Sequence, residues 1–140
     1  MFRHVGISVF NLENMSKFYQ DIFDLELMYD EVEEGEFLQK IVNQKLAEAH
    51  IHKLGKDENT IVELLKWKGG GGVNDRGLFE NGVTHFALTV DSIDDVIKKY
   101  EDFPRNGDYH PPNVASNGKV KVMFCQDPEG NFIELVELLK

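Results

Sequence analysis

Two stretches of the 140-residue chain repeat one pattern. His4-Val5-Gly6-Ile7-Ser8-Val9 leads into Leu12-Glu13-Asn14-Met15-Ser16-Lys17-Phe18-Tyr19, and His85-Phe86-Ala87-Leu88-Thr89-Val90 leads into Ile93-Asp94-Asp95-Val96-Ile97-Lys98-Lys99-Tyr100. The spacing of His, Val and Tyr is the same in both (4, 9, 19 and 85, 90, 100). A second pair, Ile61-Val62-Glu63-Leu64-Leu65 and Phe132-Ile133-Glu134-Leu135-Val136, recurs near the end of each copy. A chain made of two copies of one unit folds as two like modules, because each copy carries the same local pattern and the same apolar face to bury.

Within each copy the periodicity reads strand, helix, then three strands. Residues 2–9 alternate, placing Val5, Ile7 and Val9 on one face and His4, Gly6 and Ser8 on the other. A helix starting at Asn11 or Glu13 carries Met15, Phe18, Tyr19, Ile22 and Phe23 at helical spacing. Strands are predicted over 25–32, 46–54 and 60–67. The second copy predicts a strand over 84–90, a helix over 92–103 with Val96 and Ile97 inward, and strands near 109–116, 119–126 and 131–138. Module one thus runs over about 1–68 and module two over about 82–138. Residues 69–76, opening on four glycines, form a linker. No Lys-Ser/Thr follows those glycines, so they are not a phosphate-binding loop.

The charge balance excludes several partner classes. Fifteen Lys and Arg against 25 Asp and Glu give a net charge of −10, the wrong sign for nucleic acid or an anionic membrane surface. No apolar run approaches the ~20 residues that span a bilayer, and Met1-Phe2-Arg3-His4 has no signal-peptide core. The one cysteine, Cys125, permits no disulfide within the chain and suits a reducing compartment, so a cytoplasmic protein acting on a small molecule is expected.

The duplicated polar positions are His4, Glu63, His85 and Glu134. Each Glu shares a strand face with apolar neighbours: Glu63 with Ile61, Leu65 and Trp67, and Glu134 with Phe132, Val136 and Leu138. A carboxylate on such a face needs a cation, a proton or a strong hydrogen-bond partner. A lone His or Glu on a strand is ordinarily filler, but recurrence of both types in two copies favours a divalent metal, since Zn, Ni, Co and Fe accept imidazole and carboxylate ligands.

These residues, with Asp127-Pro128-Glu129-Gly130-Asn131-Phe132-Ile133-Glu134-Leu135 closing the second copy, resemble the vicinal oxygen chelate superfamily, which includes glyoxalase I and methylmalonyl-CoA epimerase. The resemblance covers residues 2–138. It implies an α+β fold of two βαβββ modules within one glyoxalase-like domain, with curved, mostly antiparallel sheets around a central metal cavity. It implies one ion, Ni2+, Co2+ or Zn2+ ahead of Fe2+, held by His4, Glu63, His85 and Glu134. It further implies a lyase or isomerase of the glyoxalase I type, with the metal chelating adjacent substrate oxygens while Glu134, and secondarily Glu63, moves an α-proton. Related proteins with short linkers often form homodimers, so a homodimer is expected. Ser8 and Trp67 stand where bacterial glyoxalase I carries Arg and Asn, and both are candidate substrate contacts. The alternatives within the fold are an acyl-CoA epimerase, an Fe(II) dioxygenase and a non-enzymatic small-molecule binding protein.

Glu48, His50 and His52 share one predicted strand face, either lining the substrate cavity or forming a polar sheet face or dimer contact. A separate His50/His52 metal site is not expected, because two ligands on one strand leave a coordination shell incomplete. Lys119 and Lys121 are read as surface lysines or contacts to an anionic substrate group, and His110 as part of a 105–118 loop over the site. Cys125 is read as a small core residue, and residues 30–36 as a solvated acidic patch.

Overall fold

The computed structural model describes residues 1–72, 74–104 and 107–140. The chain divides into two compact units, residues 1–72 and 73–140. Val73 of the linker and residues 105–106 of the 105–118 loop lie outside the described residues.

The first unit contains β1 (Val5–Ser8), α1 (Leu12–Phe23), β2 (Glu26–Glu34), α2 (Glu36–Ile41), β3 (Glu48–Lys56) and β4 (Asn59–Trp67). Its sheet has the order β1-β4-β3-β2. β1 runs parallel to β4, with Gly6 opposite Glu63, and the other two pairings are antiparallel. Asn11 caps α1, its side chain accepting from the Asn14 backbone N–H at 3.1 Å, and Asp24 ends the helix in the left-handed conformation. The predicted apolar stripe is the buried one: Met15, Phe18 and Tyr19 are fully buried, as are Val62 and Leu64 in the sheet. β3 and β4 meet in a two-residue turn at Asp57 and Glu58, both with positive φ (49° and 64°). That backbone twists with the right-handed strands it joins.

α2 is the element the periodicity did not predict. Six residues are too few to show a helical repeat. It forms where Gly35 (φ 95°) breaks β2, Leu38 is buried, and Lys40 pairs with Glu36 at 2.6 Å.

The second unit contains β5 (His85–Thr89), α3 (Ile93–Asp102), β6 (Asn113–Val114), β7 (Val120–Gln126) and β8 (Phe132–Leu138). Its sheet order, β5-β8-β7-β6, reproduces the first, with β5 parallel to β8 and Ala87 opposite Glu134. Ser92 caps α3 by accepting from the Asp95 N–H at 3.2 Å. Ile93, Val96 and Tyr100 are buried, as are Met123, Cys125, Ile133 and Leu135 in the sheet. The predicted 109–116 strand shrinks to Asn113–Val114 plus a single bridge from Tyr109 to Cys125. The expected α+β fold of two βαβββ-like modules is what forms, as two four-stranded mixed sheets.

Candidate functional site

In each unit the fold takes a His at the start of the first strand, His4 just ahead of β1 and His85 opening β5, and a Glu from the last, and sets them on one sheet face. In the first unit His4 Nε2 lies 3.8 Å from Glu63 Oε1. In the second, His85 Nε2 lies 3.5 Å from Glu134 Oε2. The four side chains are partly screened, between 16 and 36% exposed. The parallel pairing of first and last strands makes this contact, and the period-2 alternation keeps the core residues Val62, Leu64, Ile133 and Leu135 on the other face. Glu63's apolar face-mates, Ile61, Leu65 and Trp67, are half-buried, so its face is a lined surface rather than the core.

Each pair has its own surroundings. Lys53, opposite Glu63 in the register, brings its ammonium to 3.6 Å from Glu63 Oε2 and 4.5 Å from the centre of the Tyr29 ring. Ser8 and Trp67 share this face, and the Trp67 indole N–H donates to Ser8 Oγ at 3.1 Å. In the second unit, Thr84 Oγ1 lies 3.0 Å from His85 Nδ1, which leaves Nε2 toward Glu134. Phe124, opposite Glu134, meets the His85 ring edge to face at 5.1 Å. His110 lies against Phe124 and Phe132 on the same side, at 6.5 and 6.3 Å between ring centres.

The Asp127–Asn131 turn is what delivers Glu134. Asp127 is fully buried, and its Oδ1 accepts from the backbone N–H groups of Glu129 (3.0 Å) and Asn131 (2.9 Å). The Asn131 side-chain amide donates to both carboxylate oxygens. Gly130 takes φ +85°, a conformation that favours glycine.

Glu48 and His50 do not join the His4/Glu63 pair. The registers His52↔Leu64 and His50↔Lys66 put Glu48, His50 and His52 on the face opposite Glu63. That face also carries the core residues Leu54, Val62 and Leu64. Glu48 pairs with Lys68 at 2.7 Å, which raises the ammonium's proton affinity above the ordinary lysine range. His50 Nε2 contacts Asp30 Oδ1 at 2.5 Å, and this hydrogen bond holds the Asp30 carboxyl below the usual range. His52 is 1% exposed, and neither ring nitrogen makes a hydrogen bond among the described residues. Leaving buried polar atoms unpaired costs on the order of 1–3 kcal/mol.

Lys121 points away from Glu134, into Asp94 (2.6 Å) and Glu137 (4.0 Å), so it serves the helix-covered side of its sheet. Cys125 is the small core residue expected; burial, with help from Asp127, pushes its thiol up to about 12. The sequence reading missed Asp30 as a partner of His50 and His52, Lys53 beside Glu63, and Thr84 and Phe124 beside His85. Strand register reveals Asp30, Lys53 and Phe124, whereas Thr84 directly precedes His85 in the chain.

The sequence profile of the Glyoxalase/Bleomycin resistance protein/Dioxygenase superfamily matches residues 2–135, and the chain belongs to that superfamily. It is similar to a probable lactoylglutathione lyase of Synechocystis sp., 29% identical over 137 residues that span 96% of this chain and 92% of that protein. It is also similar to biphenyl-2,3-diol 1,2-dioxygenase 2 of Rhodococcus globerulus, 35% identical over 54 residues, 39% of this chain and 28% of that enzyme's length. Among solved structures, a glyoxalase family protein from Bacillus cereus superimposes with TM-score 0.86 at 19% identity, covering 99% of this chain and 94% of that one. A fosfomycin resistance protein from Listeria monocytogenes, solved also with manganese(II) and sulfate, gives 0.69 at 15% identity, covering 99% and 93%. At these identities the structural likeness speaks for the fold alone.

Proposed function

We propose that the chain is a divalent-metal-dependent lyase or isomerase of the glyoxalase I type, with His4, Glu63, His85 and Glu134 holding one Ni2+, Co2+ or Zn2+ ion. The observation that carries this reading is the repeated pairing, in each unit, of one imidazole with one carboxylate on a partly screened sheet face. Two imidazoles and two carboxylates fit these borderline ions. The likeness along nearly the whole chain to a probable lactoylglutathione lyase supports the same reaction class. The ligands of one ion come from one chain or from two copies, and the proposal covers both arrangements.

When bound, the ion would supply Lewis-acid polarisation of two adjacent substrate oxygens. The rest falls to the chain. Glu134 takes the proton from the carbon beside the substrate carbonyl and returns it to the neighbouring position. Glu63 is the weaker candidate for this work because it already answers Lys53, whereas the ion pair of Glu134 among the described residues is with His85 alone. Thr84 orients His85, and Phe124 and Phe132 keep water from the moving proton. Ser8 and Trp67 are the substrate contacts on the Glu63 face. Glu48 and His50 are not included, since they face the other way. The buried, unreactive thiol of Cys125 fits a reducing cytoplasm.

The test is solvent deuterium exchange into 2-oxoaldehyde hemithioacetals and 2-substituted acyl-CoA thioesters, with Ni2+, Co2+ or Zn2+ supplied. Exchange at a substrate α-carbon is expected, and Glu134→Gln should slow it by ~10²–10⁴-fold. Metal uptake without exchange in any candidate would overturn the enzymatic reading, and oxygen consumption with Fe(II) and a catechol would replace it.

A further inference from the structure

The geometry points to a second divalent-metal site in the first unit, formed by Asp30, His50 and His52 on the sheet face opposite Glu63, and independent of the proposed activity. One ligand atom from each of the three residues lies within 4.8 Å of the others. Asp30 Oδ1 sits 2.5 Å from His50 Nε2 and 3.2 Å from His52 Nε2. The β2–β3 register sets Asp30 directly opposite His52 and Val32 opposite His50, so the carboxylate comes from the neighbouring strand to a His-x-His pair. This supplies the third ligand that one strand cannot.

The second observation is His52 itself. Its side chain is 2% exposed, yet it is aimed at a carboxylate without making a hydrogen bond through either nitrogen. A buried imidazole ordinarily has a partner for at least one ring nitrogen. A metal bond to Nε2 would fill that need, while the ion displaced the proton shared by His50 and Asp30. Glu13, in the first turn of α1, stands 4.0 Å from His52 Nε2 and is positioned as a fourth ligand or as the carboxylate that orients a bound water. Imidazole and carboxylate donors select borderline ions such as Zn2+, Co2+ and Ni2+ over Ca2+ or Mg2+, which prefer all-oxygen shells. Asp30 and Glu13 are mostly exposed, so the ion has an open path in. Bound there, it would tie β2 to β3 and to the start of α1, and raise the melting temperature of the unit.

Co2+ titration of the full chain, read by elemental analysis and visible absorption, tests this. The His4→Ala/Glu134→Ala variant should still take up one equivalent and melt higher with Co2+ than without. Adding His50→Gln or Asp30→Asn, both at partly exposed positions, should weaken that uptake by at least ~10-fold with an unchanged far-ultraviolet spectrum. The site is refuted if His4→Ala/Glu134→Ala takes up no Co2+, or if its uptake ignores both substitutions. A wild-type chain that binds one equivalent lost only with His50→Gln would keep this site and remove the ligand set of the proposed function. Loss only with His4→Ala/Glu134→Ala would do the reverse.

Discussion

Asp127 shows how one residue can hold a site it does not touch. Its fully buried carboxylate accepts from two backbone N–H groups and the Asn131 amide, shaping the turn that starts β8 and sets the parity of Glu134. Asp127→Ala strands these donors, each a hydrogen bond to a charged acceptor. It should cost about 3 kcal/mol in urea unfolding and lower metal uptake as Glu134 shifts. Unchanged stability would show that the turn holds without it. The motif was legible in the sequence because Asp-Pro-x-Gly is local turn chemistry. Asp30 was not: in the sequence it is the first residue of an acidic run, and only the pairing of β2 with β3 separates it from Glu31, which faces the other way.

At the scale of elements, most of the fold was readable. α1 and α3 begin at Asn11 and Ser92 because those side chains accept N–H bonds from the first helical turn. α2 and the shortened β6 were not readable, since both depend on contacts outside their few residues. The β3–β4 turn yields one prediction. Glu58 has φ 64°, which costs an L-residue roughly 1–2 kcal/mol, so Glu58→Gly should stabilise the chain by about 0.5–1 kcal/mol after glycine's own entropy loss. A lowered urea midpoint would contradict it. α3 yields another. The Lys98 hydrogen bond chiefly holds the Asp95 carboxyl below its ordinary value. That contribution is present above the unfolded pKa of about 3.9 and lost as pH falls through the lower folded value. Asp95→Asn should therefore flatten the acid limb of the stability curve below about pH 4; identical acid limbs would rule the pair out. The effect is small, because both partners are exposed.

For the molecule as a whole, the two units repeat one sheet order and each leaves edge strands, β1 and β2 in the first and β5 and β6 in the second. Open edges invite pairing, and Phe2, Phe10, Phe37 and Phe79 are largely exposed. The chain is accordingly proposed to be a homodimer. Light scattering should give twice the 16.1 kDa chain mass; a monomer at micromolar concentration would count against it. Among the described residues no helix is long and apolar enough to cross a membrane.

The sequence by itself determined the duplication and the class of fold, and it singled out the four recurring His and Glu positions. All of these rest on local period, turn chemistry and repetition, which are written along the chain. What partners those residues have was decided in three dimensions. Lys53 reaches Glu63, Thr84 and Phe124 flank His85, and Asp30 meets His50 and His52 through strand register and side-chain conformation. Alternation says which residues of a strand share a face. A shift of one residue in pairing exchanges that face for the other, so neighbours across a sheet follow only from the folded register.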